Sequence, residues 1–215
     1  MEQTHKILQI KRFCMALAGV LITGCCVGTL QKANLGVDPF TCLVTAFANL
    51  FHSTYSTFYV VVTGILLLVV FLLNRHYIGV ATVLNLFGTG IAADFMHGIW
   101  DRIVPDPSLP ARFGILALGI LVVCFSSSLY FTADLGVSAY DAVALTAAHK
   151  YKLAAFRLCR IGSDVVCVAI GFACHVTIGA GTVITAFFMG PVIQWFNDHV
   201  SEPFLYGKAG KPSRE

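Results

Sequence analysis

Acidic side chains stand inside the apolar stretches of this chain, where an ionisable group costs about 2.5–3.5 kcal/mol on insertion scales. Asp38 and Asp141 each lie at the expected start of a short helix. A helix start exposes free N–H groups and the positive end of the helix dipole. An acid placed there is held ionised in part and can exchange a proton or a cation. The two residues predict an ion or solute site, and helix capping is the competing interpretation.

Further polar residues occupy corresponding places in the two halves of the chain. Asn34 and Asp134 each precede a Leu-Gly-Val turn, where stabilising the turn is the alternative role. Asn85 and Asp94 lie within the apolar segment 78–96, where close helix packing is the alternative. The predicted substrate-binding residues are Asn34, Asp38, Asn85, Asp94, Asp134 and Asp141.

Other chemistries find no support in the residue pattern. The histidines lack metal-site spacing and carboxylate neighbours, and the eight cysteines include no Cys-x-x-Cys pair. Arg160 and Asp164 are spaced as an i, i+4 ion pair, which lowers the cost of burying both. No nucleophile stands beside a base, and Gly88-Thr89-Gly90 follows no strand, so it is not a nucleotide loop. We expect no enzyme activity, no cofactor, no bound metal and no nucleic-acid partner.

The sequence matches itself at an offset of 100 residues without a gap. Leu-Gly-Val occurs at 35–37 and again at 135–137, and Ile-Gly occurs at 78–79 and again at 178–179. The identities are confined to a few places in two units of equal length. Such units predict a duplicated bundle related by a pseudo-two-fold axis, and many transporters are built in this way, with the site between the units.

Composition places the chain in a membrane. The mean hydropathy is +0.80, with 57% hydrophobic and 12% charged residues, whereas soluble domains carry about a quarter charged residues. Several apolar runs approach the ~20 residues that cross a bilayer. We therefore expect an all-α, polytopic helical membrane protein in contact with membrane lipid. The apolar runs are 13–30, 58–73, 78–96, 113–131, 165–178 and 180–196.

Each half is predicted to contain four helical segments, of which the second is short. The short segments cover 38–51 and 138–150, and about 14 residues reach only about 21 Å at 1.5 Å per residue. Asp38-Pro39 and Ser138 with Asp141 are helix-start signatures. The predicted organisation is a single membrane domain, 1–215, with repeat one at 10–100, a proline-containing linker at 101–111, repeat two at 112–198 and a cytoplasmic tail at 199–215.

The short segments leave two topologies open. If they cross the membrane the repeats are parallel, and if they are re-entrant the repeats are inverted. The loop at 52–56 has no Lys or Arg, whereas the equivalent region has Lys150, Lys152, Arg157 and Arg160. Opposite charging of equivalent loops favours inverted repeats, and both termini are predicted to be cytoplasmic.

The chain resembles the YczE/YyaS/YitT family of bacterial integral membrane proteins. The matching blocks are Leu-Gly-Val with its two preceding residues (33–37 and 133–137), Ile-Gly-x-x-Thr (78–82 and 178–182) and Gly-Pro-x-Ile-Gln (190–194). The resemblance implies a bacterial cytoplasmic-membrane protein, for which transport is the usual expectation.

Two functions remain open from the sequence. The first is a transporter or channel for a small molecule or ion, with its site between the two repeats. The second is a non-transporting accessory or scaffold protein that assists another complex, for which the cluster at 150–160 would be a contact surface. The sequence assigns neither a substrate nor an oligomeric state.

Overall fold

The computed structural model describes residues 2–73, 75–154 and 156–206, and these ranges are helical with no strand. The expectation of an all-α protein is confirmed. Short 3-10 and π-helical turns occur at Arg75–Tyr77 and Asn197–Ser201. The α-helices are α1 (Glu2–Ala33), α2 (Pro39–Leu50), α3 (Tyr55–Leu73), α4 (Val80–Ile103), α5 (Leu109–Ala133), α6 (Ala139–His149), α7 (Phe156–Ala173), α8 (Ala180–Phe196) and α9 (Glu202–Tyr206).

Three helices are long and apolar enough to cross a membrane, judged by length and composition. They are Lys6–Ala33, Tyr55–Leu73 and Leu109–Ala133. The short segments predicted after α1 and α5 are present as α2 and α6, of 12 and 11 residues.

The helices extend further along the chain than the apolar runs of the sequence. Helix α1 begins at Glu2, well before the apolar run, and α4 continues to Ile103. Only residues 104–108 of the predicted linker lie outside a helix. The predicted tail is helical as far as Tyr206, while 207–215 and the side chain of Arg157 lie outside the described residues.

Helices α1 and α5 are antiparallel and form the centre of the bundle. The hydroxyl oxygens of Thr23 and Ser126 lie 2.8 Å apart. Earlier on α1, Gly19 faces Tyr130, which lies later on α5. Because an earlier residue on α1 contacts a later residue on α5, the axes of the two helices are antiparallel.

Helix α4 runs parallel to α1. Gly24 packs against the backbone of Thr89, and one turn later Gly28 packs against the backbone of Ala93. A Cβ atom at Gly28 would lie 2.2 Å from the carbonyl oxygen of Ala93, so only glycine allows this approach.

Helix α3 is antiparallel to α4, and this determines the path of α2. The Ser56 N–H at the start of α3 donates to the Asp94 carboxylate, and the Tyr59 hydroxyl donates to Asn85 earlier on α4. Since α1 and α4 run one way and α3 the other, the chain enters and leaves α2 at the same end of the bundle.

The two groups of four helices contact each other reciprocally. We call α1–α4 the first half and α5–α8 the second half. Short helix α2 packs on α7, and short helix α6 packs on α3. The Gly181 N–H donates to the Leu35 carbonyl at 2.9 Å, and the Ala81 N–H donates to the Leu135 carbonyl at 3.0 Å. Each loop between a first and a second helix is therefore bonded to the start of the other half's fourth helix.

The turns before the short helices need glycine. Gly36 has φ +99° and Gly136 has φ +112°, a region that L-residues rarely adopt. The preceding residues Asn34 and Asp134 are in the left-handed region, at φ 51° and 54°. This agrees with their alternative role in stabilising the turn.

Candidate functional site

The starts of α2 and α6 are capped by side chains, as the sequence predicts. The Thr41 N–H donates to the Asp38 carboxylate at 3.0 Å. The Asp141 N–H donates to the Ser138 hydroxyl at 3.1 Å, and that hydroxyl donates to the Asp141 carboxylate at 2.7 Å. The acid therefore stands at the cap position of one short helix and three residues later in the other.

The two short helices meet at their N-terminal ends. Phe40 and Tyr140, which are 100 residues apart, stack with ring centroids 4.9 Å apart. Tyr59 of α3 meets the Phe40 ring edge-on at 5.8 Å. The stacked rings bring both capped starts to one place between the halves.

A cavity of about 120 Å³ lies at this meeting point. Its wall combines carboxylate, guanidinium, amide and phenol groups with aliphatic residues of α1 and α5. The polar and aromatic side chains that carry the argument are Asp38, Phe40, Tyr59, Asn85, Tyr130, Asp141 and Arg160.

Arg160 holds the second-half side of the cavity. Its guanidinium pairs with the Asp141 carboxylate, and its Nε lies 3.4 Å from a carboxylate oxygen of Asp164. The guanidinium carbon lies 4.5 Å from the Tyr140 ring centroid, a cation–π geometry. The Tyr140 hydroxyl donates to Asp164 at 2.6 Å. The expected Arg160–Asp164 pair is confirmed, and Asp141 joins it from α6.

Asp38 holds the first-half side without such a partner. One of its oxygens accepts the Thr41 N–H, and within the described ranges Asp38 forms no ion pair. The residue at the 100-residue equivalent of Arg160 is Val60, which carries no charge. With two carboxylates and one guanidinium in its wall, the cavity is formally negative.

Amide and hydroxyl groups form a chain along the α3–α4 side. The Tyr59 hydroxyl donates to the Asn85 carbonyl oxygen at 2.7 Å, and the Asn85 amide donates to Thr89 at 3.2 Å. All three side chains are buried. This chain fixes the orientation of the Asn85 amide at the cavity wall.

Tyr130 of α5 brings an unsatisfied hydroxyl to the cavity. Its side chain lines the cavity, and the residue is 5% exposed. Its hydroxyl oxygen has no hydrogen-bond partner among the described residues. A buried hydroxyl without a partner costs about 1–3 kcal/mol, so a ligand that bonds to it would recover that free energy.

The structure brings together three of the six predicted site residues, Asp38, Asn85 and Asp141. Asn34 and Asp134 are exposed in the turns after α1 and α5. Asp94 caps α3 by accepting the Ser56 N–H at 3.0 Å. In the described part of the chain, no group of three or more His, Cys, Asp and Glu side chains is placed to hold a metal ion.

Sequence reasoning missed the aromatic residues and the role of Arg160 at the cavity. Phe40 and Tyr140 each lie two residues after a helix-capping residue, at positions 100 residues apart. An aromatic residue at both positions is a sequence signal that could have identified them. The sequence predicts only that Arg160 belongs to a basic cluster and pairs with Asp164. Its contact with Asp141 joins two helices and cannot be deduced from spacing along one.

Comparison with known proteins gives a family without an assigned activity. Residues 10–198 match the family described as "Family of unknown function (DUF6198)". The match covers most of the chain, and the chain belongs to this family. An uncharacterized protein of Haemophilus influenzae is 27% identical over 191 residues, which are 87% of this chain and 84% of that protein. No solved structure matches the chain.

Proposed function

We propose that this DUF6198 protein is a transporter of a small solute in the bacterial cytoplasmic membrane, with its site in the cavity between the halves. The observation that carries the proposal is the cavity itself. It places Asp38 and the Asp141–Arg160 pair where the starts of two short helices meet. Charged groups at such depth in an apolar bundle are expensive and are typical of solute and ion pathways.

The outer surface supports a membrane location. Large apolar side chains are exposed on several helices, and Leu72, Phe95 and Phe172 have exposed fractions of 73%, 66% and 74%. A soluble monomer rarely exposes wide apolar patches. Hydrocarbon would cover these side chains, and three helices have the length and hydropathy to cross it.

The helix directions support inverted repeats. Equivalent helices α1 and α5 are antiparallel at the Thr23–Ser126 contact. Helices α1, α3 and α4 alternate in direction, which is the pattern of three crossings with a re-entrant α2. An odd number of crossings in each half inverts the second repeat relative to the first. The 100-residue equivalence and the reciprocal Leu35 and Leu135 bonds fit this duplication.

The distribution of basic residues supports cytoplasmic termini. Arg12 near the N-terminus donates to Tyr206 near the end of the described chain, so both ends lie together. Lys150 bonds to the Leu73 carbonyl at the same end of the bundle, beside Arg75. The positive-inside rule makes this end cytoplasmic. We further propose that the chain shares the architecture of the YczE/YyaS/YitT proteins that it resembles.

We propose that the protein works by alternating access, with the cavity as the site where the solute binds. The helix starts supply N–H groups and dipole ends, and Asp38 and Asp141 supply charge. The Asp141–Arg160 pair joins α6 to α7 within the second half, so it forms or breaks as these two helices move relative to each other. The solute would replace water inside the cavity and leave from the opposite side.

Uptake into proteoliposomes tests the proposal. Three radiolabelled probes cover the charge classes: methylammonium, glycine and acetate. We expect uptake of at least one probe above that of protein-free vesicles, and loss of that uptake in Asp141→Asn. The matched control is Asp134→Asn, which changes an exposed acid where Asn also tolerates the left-handed turn.

Stability must be measured on the same preparations. A stable, folded Asp141→Asn protein with full uptake would exclude the cavity as the site. Uptake no faster than in protein-free vesicles for all three probes would contradict transport, and the accessory-protein hypothesis would replace it.

A further inference from the structure

We infer that the cavity binds a small primary ammonium cation, with the Asp38 carboxylate as its counter-ion and the Phe40 ring beside it. This inference rests on the proposed function and adds the class of solute to it. It stands on four observations: an arrangement that binds a cation in the second half, an acid in the first half without an ion pair among the described residues, a buried hydroxyl without a partner among them, and the size of the cavity.

In the second half, a cationic side chain is bound by a carboxylate and an aromatic ring. The Arg160 guanidinium lies over the Tyr140 ring at 4.5 Å and pairs with Asp141. The equivalent of Tyr140 in the first half is Phe40, whose ring also lines the cavity. A carboxylate, an aromatic ring and a nitrogen cation therefore form one arrangement in the second half. In the first half the ring is at the equivalent position, and the carboxylate of Asp38 stands three residues before the equivalent of Asp141, which is Thr41.

In the described part of the first half, the carboxylate and the ring are present at the cavity but no cationic side chain lines it. Val60 stands where the repeat offset would place an arginine, and Asp38 has no ion pair among residues that the structure describes. A carboxylate within an apolar bundle needs a compensating positive charge. A solute cation that enters the cavity supplies it.

The Tyr130 hydroxyl gives the site a second polar contact. It is buried, lines the cavity and has no partner in the described ranges. Its oxygen can accept one N–H of an ammonium group while the Asp38 carboxylate accepts another. A quaternary ammonium ion has no N–H and cannot make these bonds.

Cavity size and ligand type select an organic ammonium over a metal ion. A cavity of about 120 Å³ admits a small molecule. Hard metal ions take six or more oxygen ligands or keep their waters, and the described residues offer no group of three acids or histidines. An aromatic ring attracts an ammonium cation electrostatically. The formally negative wall disfavours anions.

Binding of methylammonium chloride to the full-length protein in detergent, measured by isothermal titration calorimetry, tests the inference. We expect saturable binding, weakened at least tenfold in Asp38→Asn, because Asn keeps the helix cap but removes the charge. Phe40→Leu should weaken binding about threefold to tenfold through the lost cation–π contact. Tetramethylammonium and sodium chloride should bind at least tenfold more weakly than methylammonium.

The matched control is Asp94→Asn, which changes a helix-capping acid away from the cavity. It should leave methylammonium affinity within twofold of the unchanged protein. Tyr130→Phe is a second probe that keeps the ring and removes only the hydroxyl, and it should weaken binding about threefold or more. Asp38→Asn is expected to unfold at the same temperature as the unchanged protein.

The binding and uptake experiments together distinguish failure of this inference from failure of the proposed function. Unchanged methylammonium affinity in a folded Asp38→Asn, or no binding at all, would overturn the inference. If glycine or acetate uptake were nevertheless abolished by Asp141→Asn, transport would stand with another solute. Methylammonium binding that depends on Asp38 without any uptake would retain the cation site and overturn transport.

Discussion

The hydroxyl oxygens of Thr23 and Ser126 lie 2.8 Å apart across α1 and α5. Their positions along the two helices mark the centre of the antiparallel pair. Gly19 lies four residues before Thr23 on α1, and its partner Tyr130 lies four residues after Ser126 on α5. The two helices therefore keep the same register along their contact. This register gives a direct test of the relation between the halves.

A disulfide between Thr23→Cys and Ser126→Cys should form after mild oxidation, because the two side chains already touch and a disulfide needs Cβ atoms about 3.8 Å apart. The eight native cysteines would first be replaced. With a protease site inserted in the 104–108 linker, the two halves should stay joined after cleavage. Thr23→Cys with Ser128→Cys is the control, since Ser128 bonds to Ser201 instead, and equal cross-linking of both pairs would exclude the observed register.

Alanine at Gly36 or Gly136 should destabilise the protein by similar amounts. Both glycines have positive φ, where strain costs about 1–3 kcal/mol for other residues, and both contact the start of a fourth helix. Gly64→Ala is the control, because its helix position has open space and alanine favours helix by about 0.5–1 kcal/mol. Unfolding by SDS titration measures all three, and a neutral Gly136→Ala would argue against the bonded turns.

Arg160 and Asp141 should be coupled in a double-mutant cycle. Arg160→Met and Asp141→Asn should each cost about 2 kcal/mol of unfolding free energy, less than the 3–5 kcal/mol of a fully buried pair, because the Arg160 side chain is 34% exposed. The double variant should cost less than the sum of the two. Arg102→Met, at an exposed position, should be neutral, and additive effects would mean that the pair contributes nothing.

Inverted topology makes opposite predictions for two exposed loop residues. Ser53→Cys, between α2 and α3, should react with a membrane-impermeant maleimide added to intact cells. Tyr151→Cys, in the loop between α6 and α7, should react only after the cells are opened. Labelling of both residues from the same side would indicate parallel repeats.

Local features of the fold could be predicted from the sequence, and contacts between helices could not. The short helices and their caps at Asp38 and Ser138 follow from residues that are neighbours along the chain. The sequence predicts Asp94 as a site residue within an apolar segment, yet it caps α3 because that helix begins beside it in space. The Asp141–Arg160 contact depends on how α6 and α7 pack, which no spacing along one helix determines.

The reciprocal bonds of Leu35 and Leu135 have a mechanical consequence. Each ties the loop that carries one short helix to the fourth helix of the opposite half. Ser138 follows Val137 directly, and Val137 is itself bonded to Tyr77 and Thr82. These hydrogen bonds couple the halves. We therefore expect a displacement of either half to be transmitted to the short helix of the other, so that both ends of the cavity change shape together.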